Sequence, residues 1–357
     1  MTTERRIEMY SKELKEDLSR LSEYAETIKL GGNKVMVTGA TGLIGSLIIK
    51  SFIYYNKKHD KKISVTAMAR NREKVEDIYK DFFEEDKKIP FVEFFYQDIC
   101  APIPHNINCD YIIHTANSTT SKFFITNPVD VIESIYMGTK QILDYAKSHN
   151  VKGVVYLSSM EVFGQVNKEY RVTEKELGYL DIQNVRSCYS EGKRLAECLC
   201  MSYASQYRVP VKVARLAQTF GAGVLPGENR VFAQFLRSAL KGEDIVLHTK
   251  GQSVGNYCYT ADAIEAILLL LVMGENGEAY TVVNEETTTA IADMADLVAR
   301  HFSNGKSKVV FDIPQNNSFG YAPDTKMRLS SQKLRNLGWT PRVSLFDAYK
   351  RMISDLK

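Results

Sequence analysis

The stretch "VMVTGATGLIGSLII" constrains this chain most. It sets Gly39, Gly42 and Gly45 between an apolar run and a helical pattern. A strand that passes through such a triplet straight into a helix forms a cradle for a pyrophosphate. Gly39 allows the sharp turn, Gly42 lets backbone approach the phosphates, and Gly45 lets the helix pack close to the sheet. The helix N-terminus favours the negative charge. Thr41, Leu43 and Ile44 share the loop and are expected against the same ligand, a dinucleotide.

The surrounding pattern supplies the context that such a loop requires. The β-rich runs "KVMVTG", "ISVTAMA", "FVEFFYQ", "YIIHTA", "GVVYLSS" and "VKVARLA" alternate with helical patterns, clearest at residues 43–55, 129–149 and 189–207. Doubly apolar strands alternating with helices imply a parallel sheet covered on both faces. The fold class expected is α/β, a Rossmann-type doubly wound parallel sheet with a smaller C-terminal α/β lobe. Beyond about Phe220 the order is less regular, with helices expected near 231–240 and 345–356. Residues 4–28 space Met9, Leu14, Leu18, Leu21 and Tyr24 as an amphipathic helix that covers the outside of the core. The expected division is a helical extension over 1–30, a dinucleotide-binding domain over 31–220, and a mainly substrate-binding lobe over 221–357 with some segments returning to the first domain. The charge runs "KKHDKK" and "EEDKK" read as solvated loops.

Composition narrows the partners. A net charge of +3 over 357 residues gives no reason to expect nucleic acid or an acidic membrane surface. The longest apolar run, "AILLLLVM", is far too short to span a bilayer. The six cysteines lack metal-ligand spacing and read as reduced, mostly buried thiols in a cytoplasmic protein. No metal is expected.

Cofactor choice turns on the end of the second strand. An acid there would bind the ribose 2′-hydroxyl of NAD, but the segment reads "VTAMARN" and offers Arg70. Arg70 can meet a 2′-phosphate, stack on adenine or face water, so NAD is expected with NADP left open. Asp98 and Ile99 follow the third strand, near the adenine, and Ala116 ends the fourth, under the cofactor.

The fifth strand ends in Ser158 and Ser159, where ligands bind in an open parallel sheet. Tyr189 and Lys193 then stand four apart at the start of a helix. A phenol at its ordinary pKa is a poor base at neutral pH. Lys193 and an oxidised nicotinamide would both favour tyrosinate, which could take a proton from an alcohol as hydride leaves its carbon. Ser159 would hold the developing carbonyl oxygen.

Together these residues resemble the extended short-chain dehydrogenase/reductase family, in the branch that modifies nucleotide-activated sugars. The marks are "TGATGLIG", the Ser-bearing strand end, Tyr189-x-x-x-Lys193, "VKVARLAQTFGA" and "LRNLGWTP". Within the branch, "CYSEGKRLAE" is similar to UDP-glucuronate decarboxylases, and "SSMEVFG" resembles both those enzymes and dTDP-glucose 4,6-dehydratases. The resemblance makes Ser159, Glu161, Tyr189 and Lys193 the catalytic set. Met160 falls where dehydratases keep an Asp that protonates a leaving hydroxyl, which argues against dehydration. Gln218 stands in place of an Asn that touches the sugar or diphosphate, and Gly255 in place of a diphosphate-gripping Arg. Arg230, Lys326 or Arg328 would then supply the missing charge. The resemblance implies a nucleotide-sugar substrate, a retained nicotinamide cofactor, a 4-keto intermediate, and decarboxylation or 4-epimerisation as the outcome, with polysaccharide biosynthesis as the setting. An NADPH-dependent keto-sugar reductase and a non-catalytic dinucleotide sensor are the alternatives. A homodimer through helices 129–149 and 189–207 is implied by the family. Ile132, Ile135, Tyr136, Leu143, Leu195, Leu199, Met201 and Tyr203 would serve it, although burial within one subunit would account for the same residues.

Overall fold

The structure is a computed structural model that describes residues 10–84, 87–117, 119–225, 227–314 and 324–356. Its centre is a seven-stranded sheet in the order β10-β6-β5-β4-β1-β2-β3, with every neighbouring pair parallel. The strands are β1 (Lys34–Thr38), β2 (Ser64–Ala69), β3 (Val92–Tyr96), β4 (Tyr111–His114), β5 (Gly153–Ser159), β6 (Val211–Leu216) and β10 (Glu278–Val282). All six runs read from the sequence are in it. The seventh, "EAYTV", was not foreseen. The chain turns from β1 outward to β3 and then resumes at β4 on the other side of β1. That reversal opens a crevice above the carboxyl ends of β1 and β4.

Helices cover both faces. On one lie α1 (Lys12–Thr27), α2 (Leu43–Lys58) and α8 (Thr260–Met273), whose buried residues share one core with β1, β2 and β9 (Val254–Tyr259). On the other lie α5 (Pro128–His149) and α6 (Ser187–Tyr207), with Ile135, Ile142, Leu143 and Ala196 in a second cluster against β4, β5 and β6. The run "AILLLLVM" falls in α8, which is buried on every side from Thr260 to Leu271. That burial explains the apolar run without a membrane. No helix among the described residues is long and apolar enough to cross a bilayer.

The second part is smaller. It holds the sheet β11-β9-β7, with β7 (Gln218–Phe220) and β11 (Asn284–Ala290), and the pair β12-β8, with β8 (Ile245–Leu247) and β12 (Val309–Phe311). Helices α7 (Val231–Lys241), α9 (Ile291–Phe302) and α11 (Leu345–Leu356) surround them. Strand β10 and helix α8 leave this part to join the large sheet and its core. The amphipathic N-terminal helix begins at Lys12, capped by Ser11, and buries Leu14, Leu18 and Leu21 as their spacing requires. Met9 of that pattern and part of the "EEDKK" run lie outside the described residues.

Candidate active site

The glycine loop has the geometry its sequence called for. Gly39 takes φ +70°, and a Cβ there would stand 2.6 Å from Thr115 Oγ1 and 2.9 Å from the Ala116 nitrogen. A Cβ on Gly45 would stand 2.4 Å from the Gly39 carbonyl oxygen. Both positions are closed to any side chain. Gly42 is the N-cap of α2 and brings no side chain to cap it, so the first amides of the helix face outward for an anion. Leu43 and Ile44 pack their side chains on the core, and Thr41 is half-buried beside them.

Thr38 and Thr115 staple the ends of β1 and β4. Thr38 Oγ1 accepts from the amides of Thr115 and Ala116 at 3.1 and 3.2 Å, while the Thr115 hydroxyl donates to the Thr38 carbonyl at 2.7 Å. Next along the chain, both polar side-chain atoms of Asn117 are buried with no partner among the described residues. A buried donor and acceptor left unpaired are costly, so this amide fits a ligand in the crevice. Asn117 lies one residue beyond Ala116, the last position the sequence assigns to the cofactor on this strand. Only the adjacent small-residue run "TAN" could have signalled it.

Arg70 and Asp98, read as separate contacts, stand together. Arg70 directly follows β2 with its side chain 77% exposed, and its guanidinium lies 3.7 Å from the Asp98 carboxylate. Hydrogen bonding to the Cys100 amide and the charge of Arg70 hold Asp98 below the usual carboxylate range, against some desolvation. Ile99 sits against Gly138 of α5, within 3.0 Å of where a Cβ would be, so its side chain packs on that helix.

The end of β5 and the first turns of α6 bring Ser159, Glu161 and Tyr189 together. Ser159 caps the short 3₁₀ turn Met160–Phe163, accepting from the Glu161 amide, and its hydroxyl pulls the Tyr189 phenol down. Glu161 receives both ends of the Arg186 guanidinium at 3.0 and 3.3 Å and the Ser190 hydroxyl at 3.1 Å. Arg186, Ser190 and Phe124, from α4 (Ser121–Thr126), were not singled out in the sequence. Phe124 is buried beneath the Tyr189 ring and stacks on it. Met160 turns its side chain onto the apolar cluster of Val162, Phe163, Val172 and Leu329, and so presents no acid to the site.

Lys193 departs from expectation. Its ammonium donates to the Leu157 carbonyl at 2.7 Å and lies 5.8 Å from the Tyr189 ring centre. Burial, opposed by the charge of Glu197, lowers Lys193 to about 7. Burial and then Glu161 raise the Tyr189 phenol above its ordinary value, while Ser159, Arg230 and Arg186 pull it down. Within the protein alone the phenol is protonated, because desolvation and a facing carboxylate outweigh the nearby cations.

Behind the site lies a buried ion pair that the sequence did not announce. Arg215 of β6 grips Glu197 of α6 with bonds of 2.7 and 3.1 Å, Ser158 donates to the same carboxylate, and Arg215 also donates to the Glu174 carbonyl at 2.8 Å. Both charged side chains are more than nine-tenths buried, so each depends on the other.

The residues expected on the substrate side divide. Gln218 opens β7, and its side-chain oxygen is buried without a partner among the described residues. Arg230 precedes α7, pairs with Glu228 at 2.7 Å, and its charge reaches Tyr189. Lys326 and Arg328 instead share Glu169 at 2.8 and 3.3 Å on an exposed segment. Lys326 bridges to Val254, beside Gly255, where a Cβ would meet nothing closer than 3.8 Å. A Cβ at Gly255 would therefore have room, and the two cations next to it share the single carboxylate of Glu169.

The six cysteines are all free, and three of them, Cys188, Cys200 and Cys258, are buried. The expectation of mostly buried thiols is met by half. Among the named residues of α5 and α6, Ile135, Leu143 and Tyr203 are buried within the subunit, while Ile132 and Leu195 are exposed.

Known proteins are similar to this chain in sequence and in fold. The chain is 27% identical over 325 residues to UDP-glucuronic acid decarboxylase 6 of Arabidopsis thaliana, covering 91% of this chain and 89% of the relative. UDP-glucuronic acid decarboxylase 1 of Xenopus tropicalis is 25% identical over 321 residues, covering 90% and 71%. The fold is similar to that of UDP-glucose 4-epimerase from Thermotoga maritima, solved with UDP-glucose, at a TM-score of 0.74 and 21% identity, covering 90% of this chain and 98% of that one. It is also similar to that of dTDP-glucose 4,6-dehydratase from Bacillus anthracis, solved with NAD, at a TM-score of 0.69 and 19% identity, covering 91% and 96%. A family model described as the NAD dependent epimerase/dehydratase family matches residues 35–284. The chain belongs to that family.

Proposed function

We propose that this protein is a redox-neutral nucleotide-sugar enzyme that decarboxylates UDP-glucuronate through a 4-keto intermediate. The observation that carries the reading is the convergence of Ser159, Glu161 and Tyr189 at the carboxyl end of β5, the same end of the parallel sheet at which the glycine loop leaves β1. The curated relatives support the substrate. NAD fits the chain: Gly39 and Gly45 leave room only for backbone, α2 offers its N-terminus, and Asn117 holds two unpaired polar atoms. The Asp98 carboxylate beside Arg70 would repel a 2′-phosphate, which supports NAD over NADP. Bound NAD would supply reversible hydride transfer at C4 of the sugar and, in its oxidised form, a positive charge that favours ionised Tyr189.

The protein's own groups do the rest. Tyr189 accepts the C4 hydroxyl proton, and Ser159 holds the oxygen as it becomes a carbonyl. The C6 carboxylate is then β to a ketone, so the C5–C6 bond breaks with loss of carbon dioxide. Its electron pair moves into the enolate, whose oxygen Ser159 and Tyr189 stabilise. A proton replaces the carboxylate at C5 before C4 is reduced again, with Tyr189 returning its proton to the oxygen. Arg186 and Ser190 fix Glu161 at the mouth of this set. Met160 offers no proton to a leaving hydroxyl, which favours decarboxylation over dehydration. A homodimer through Ile132 and Leu195, the exposed apolar residues of α5 and α6, and a cytoplasmic location for a chain with free thiols belong to the same reading.

The test is mass spectrometry of a nucleotide-sugar panel, led by UDP-glucuronate, incubated with purified protein and no added cofactor. Loss of carbon dioxide is expected, and Tyr189→Phe should lose at least about a hundredfold in rate. An isomer of unchanged mass would make the protein a 4-epimerase. Turnover of a keto-sugar only with NADPH would overturn the redox-neutral reading.

A further inference from the structure

Helix α1 lies ahead of the segment that the family model matches, yet its polar side chains reach the turn that leads into the second part of the chain. Asp17 is buried at 6% exposure and accepts from the Tyr259 hydroxyl and, at 3.0 Å, from Arg351 of α11. The Tyr259 oxygen accepts in turn from the Ala222 amide at 3.4 Å and from Arg351 Nε at 3.0 Å. A second link runs alongside. Ser11, the cap of α1, donates to Asp355 at 2.7 Å, and the other oxygen of Asp355 accepts from the Gly223 amide at 2.6 Å.

Two successive amides of the turn at Gly221–Gly223 are thus held through side chains that α1 holds. The turn has little freedom otherwise. A Cβ on Gly221 would stand 2.3 Å from the Tyr259 ring. Gly223 adopts φ +83°, with Leu47 of α2 only 2.8 Å from where its Cβ would be. The turn is therefore wedged between β9 and the helix that follows the glycine loop. From it the chain runs to Arg230, whose charge reaches Tyr189.

We propose that α1 is a positioning element for the anion-binding side of the active site: Asp17, acting through Tyr259, fixes the Gly221–Gly223 turn and so places Arg230. The choice of ligand rests on the nucleotide-sugar reading above. The coupling itself does not. The rest of the docking of α1 is separate, since Arg20 pairs with Asp262 at 2.7 Å and Glu265 at 3.2 Å without touching the turn.

The experiment compares Asp17→Asn and Tyr259→Phe with Ile142→Ala, which is destabilised in the core on the opposite sheet face. Hydrogen exchange of the Ala222 and Gly223 amides is read by mass spectrometry, and affinity for UDP by calorimetry. Both test variants should exchange the Ala222 amide, which Tyr259 holds, up to about tenfold faster, while the Gly223 amide, which keeps its bond to Asp355, should change less. They should bind UDP about tenfold more weakly, with kcat at saturating substrate within about twofold of the parent. Ile142→Ala should lower the melting temperature and change neither readout. Faster exchange with unchanged UDP affinity would overturn the proposal, as would wild-type exchange, or a matching loss in Ile142→Ala. If the parent protein itself fails to bind UDP, the substrate assignment falls, and the exchange comparison still decides whether α1 holds the turn.

Discussion

Phe124 lies flat on Tyr189, with ring centroids 4.4 Å apart and planes 12° apart. The α4 residue is fully enclosed, and its carbonyl receives the Cys188 thiol at 3.4 Å, so ring and backbone both lock onto the start of α6. A proton-transferring phenol must be held in one orientation, and this ring removes the freedom to tilt.

Phe124→Leu keeps the apolar volume and removes the flat contact. Stacked rings are worth about 0.5–1.5 kcal/mol beyond their buried area. The variant should lose about tenfold in kcat, with its affinity for NAD unchanged. Steady-state kinetics beside calorimetric titration would check it, and an unaltered kcat would show that the stack has no part in orienting Tyr189.

Lys193 gives the stability of the protein a pH signature. Its folded value of about 7 lies below the ordinary lysine value of 10.5. Between those values the unfolded chain carries a proton there that the folded chain does not, so this residue contributes stability that increases with pH across that window. Relative to Lys193→Met, the cofactor-free protein should gain up to about 1.4 kcal/mol per pH unit from pH 7 upward. Urea unfolding at several pH values measures it. A constant difference between the two proteins would mean that Lys193 keeps its proton when buried.

Glu197 and Arg215 stand or fall together. Glu197→Ala leaves a buried guanidinium without its counter-charge, at a cost of about 3–5 kcal/mol. Ser158→Ala removes one hydrogen bond to the same carboxylate and should cost about 1.5–2 kcal/mol. Denaturant midpoints should separate the two variants clearly. Near-equal losses would contradict the ion pair's place in the core.

Much of the fold was legible because its signals are local. Each of the first six strands is a short apolar run ended by a turn, and the glycine triplet announces its own conformation. Strand β10 is no more apolar than many loops, and it joins the sheet only through pairing with β6 far away in sequence. Tyr189 and Lys193 could be found from their spacing, but their protonation could not. That depends on Glu161, Arg230 and the depth of burial, which tertiary packing decides. Asn117, Phe124, Arg186 and the Glu197–Arg215 pair escaped for the same reason, since each is ordinary in sequence and acquires its role from a neighbour contributed by another element. Arg70 in isolation left NADP open beside NAD. Its meaning changes once Asp98 is seen beside it.

The central claim is that C4 of the sugar loses its hydride and receives the same one back. UDP-glucuronate carrying deuterium at C4, turned over in ordinary water, tests it directly. The account predicts a decarboxylated product that keeps its deuterium at C4. A product that has lost the label, or has lost carbon dioxide only when a reduced cofactor is added in stoichiometric amount, would contradict it.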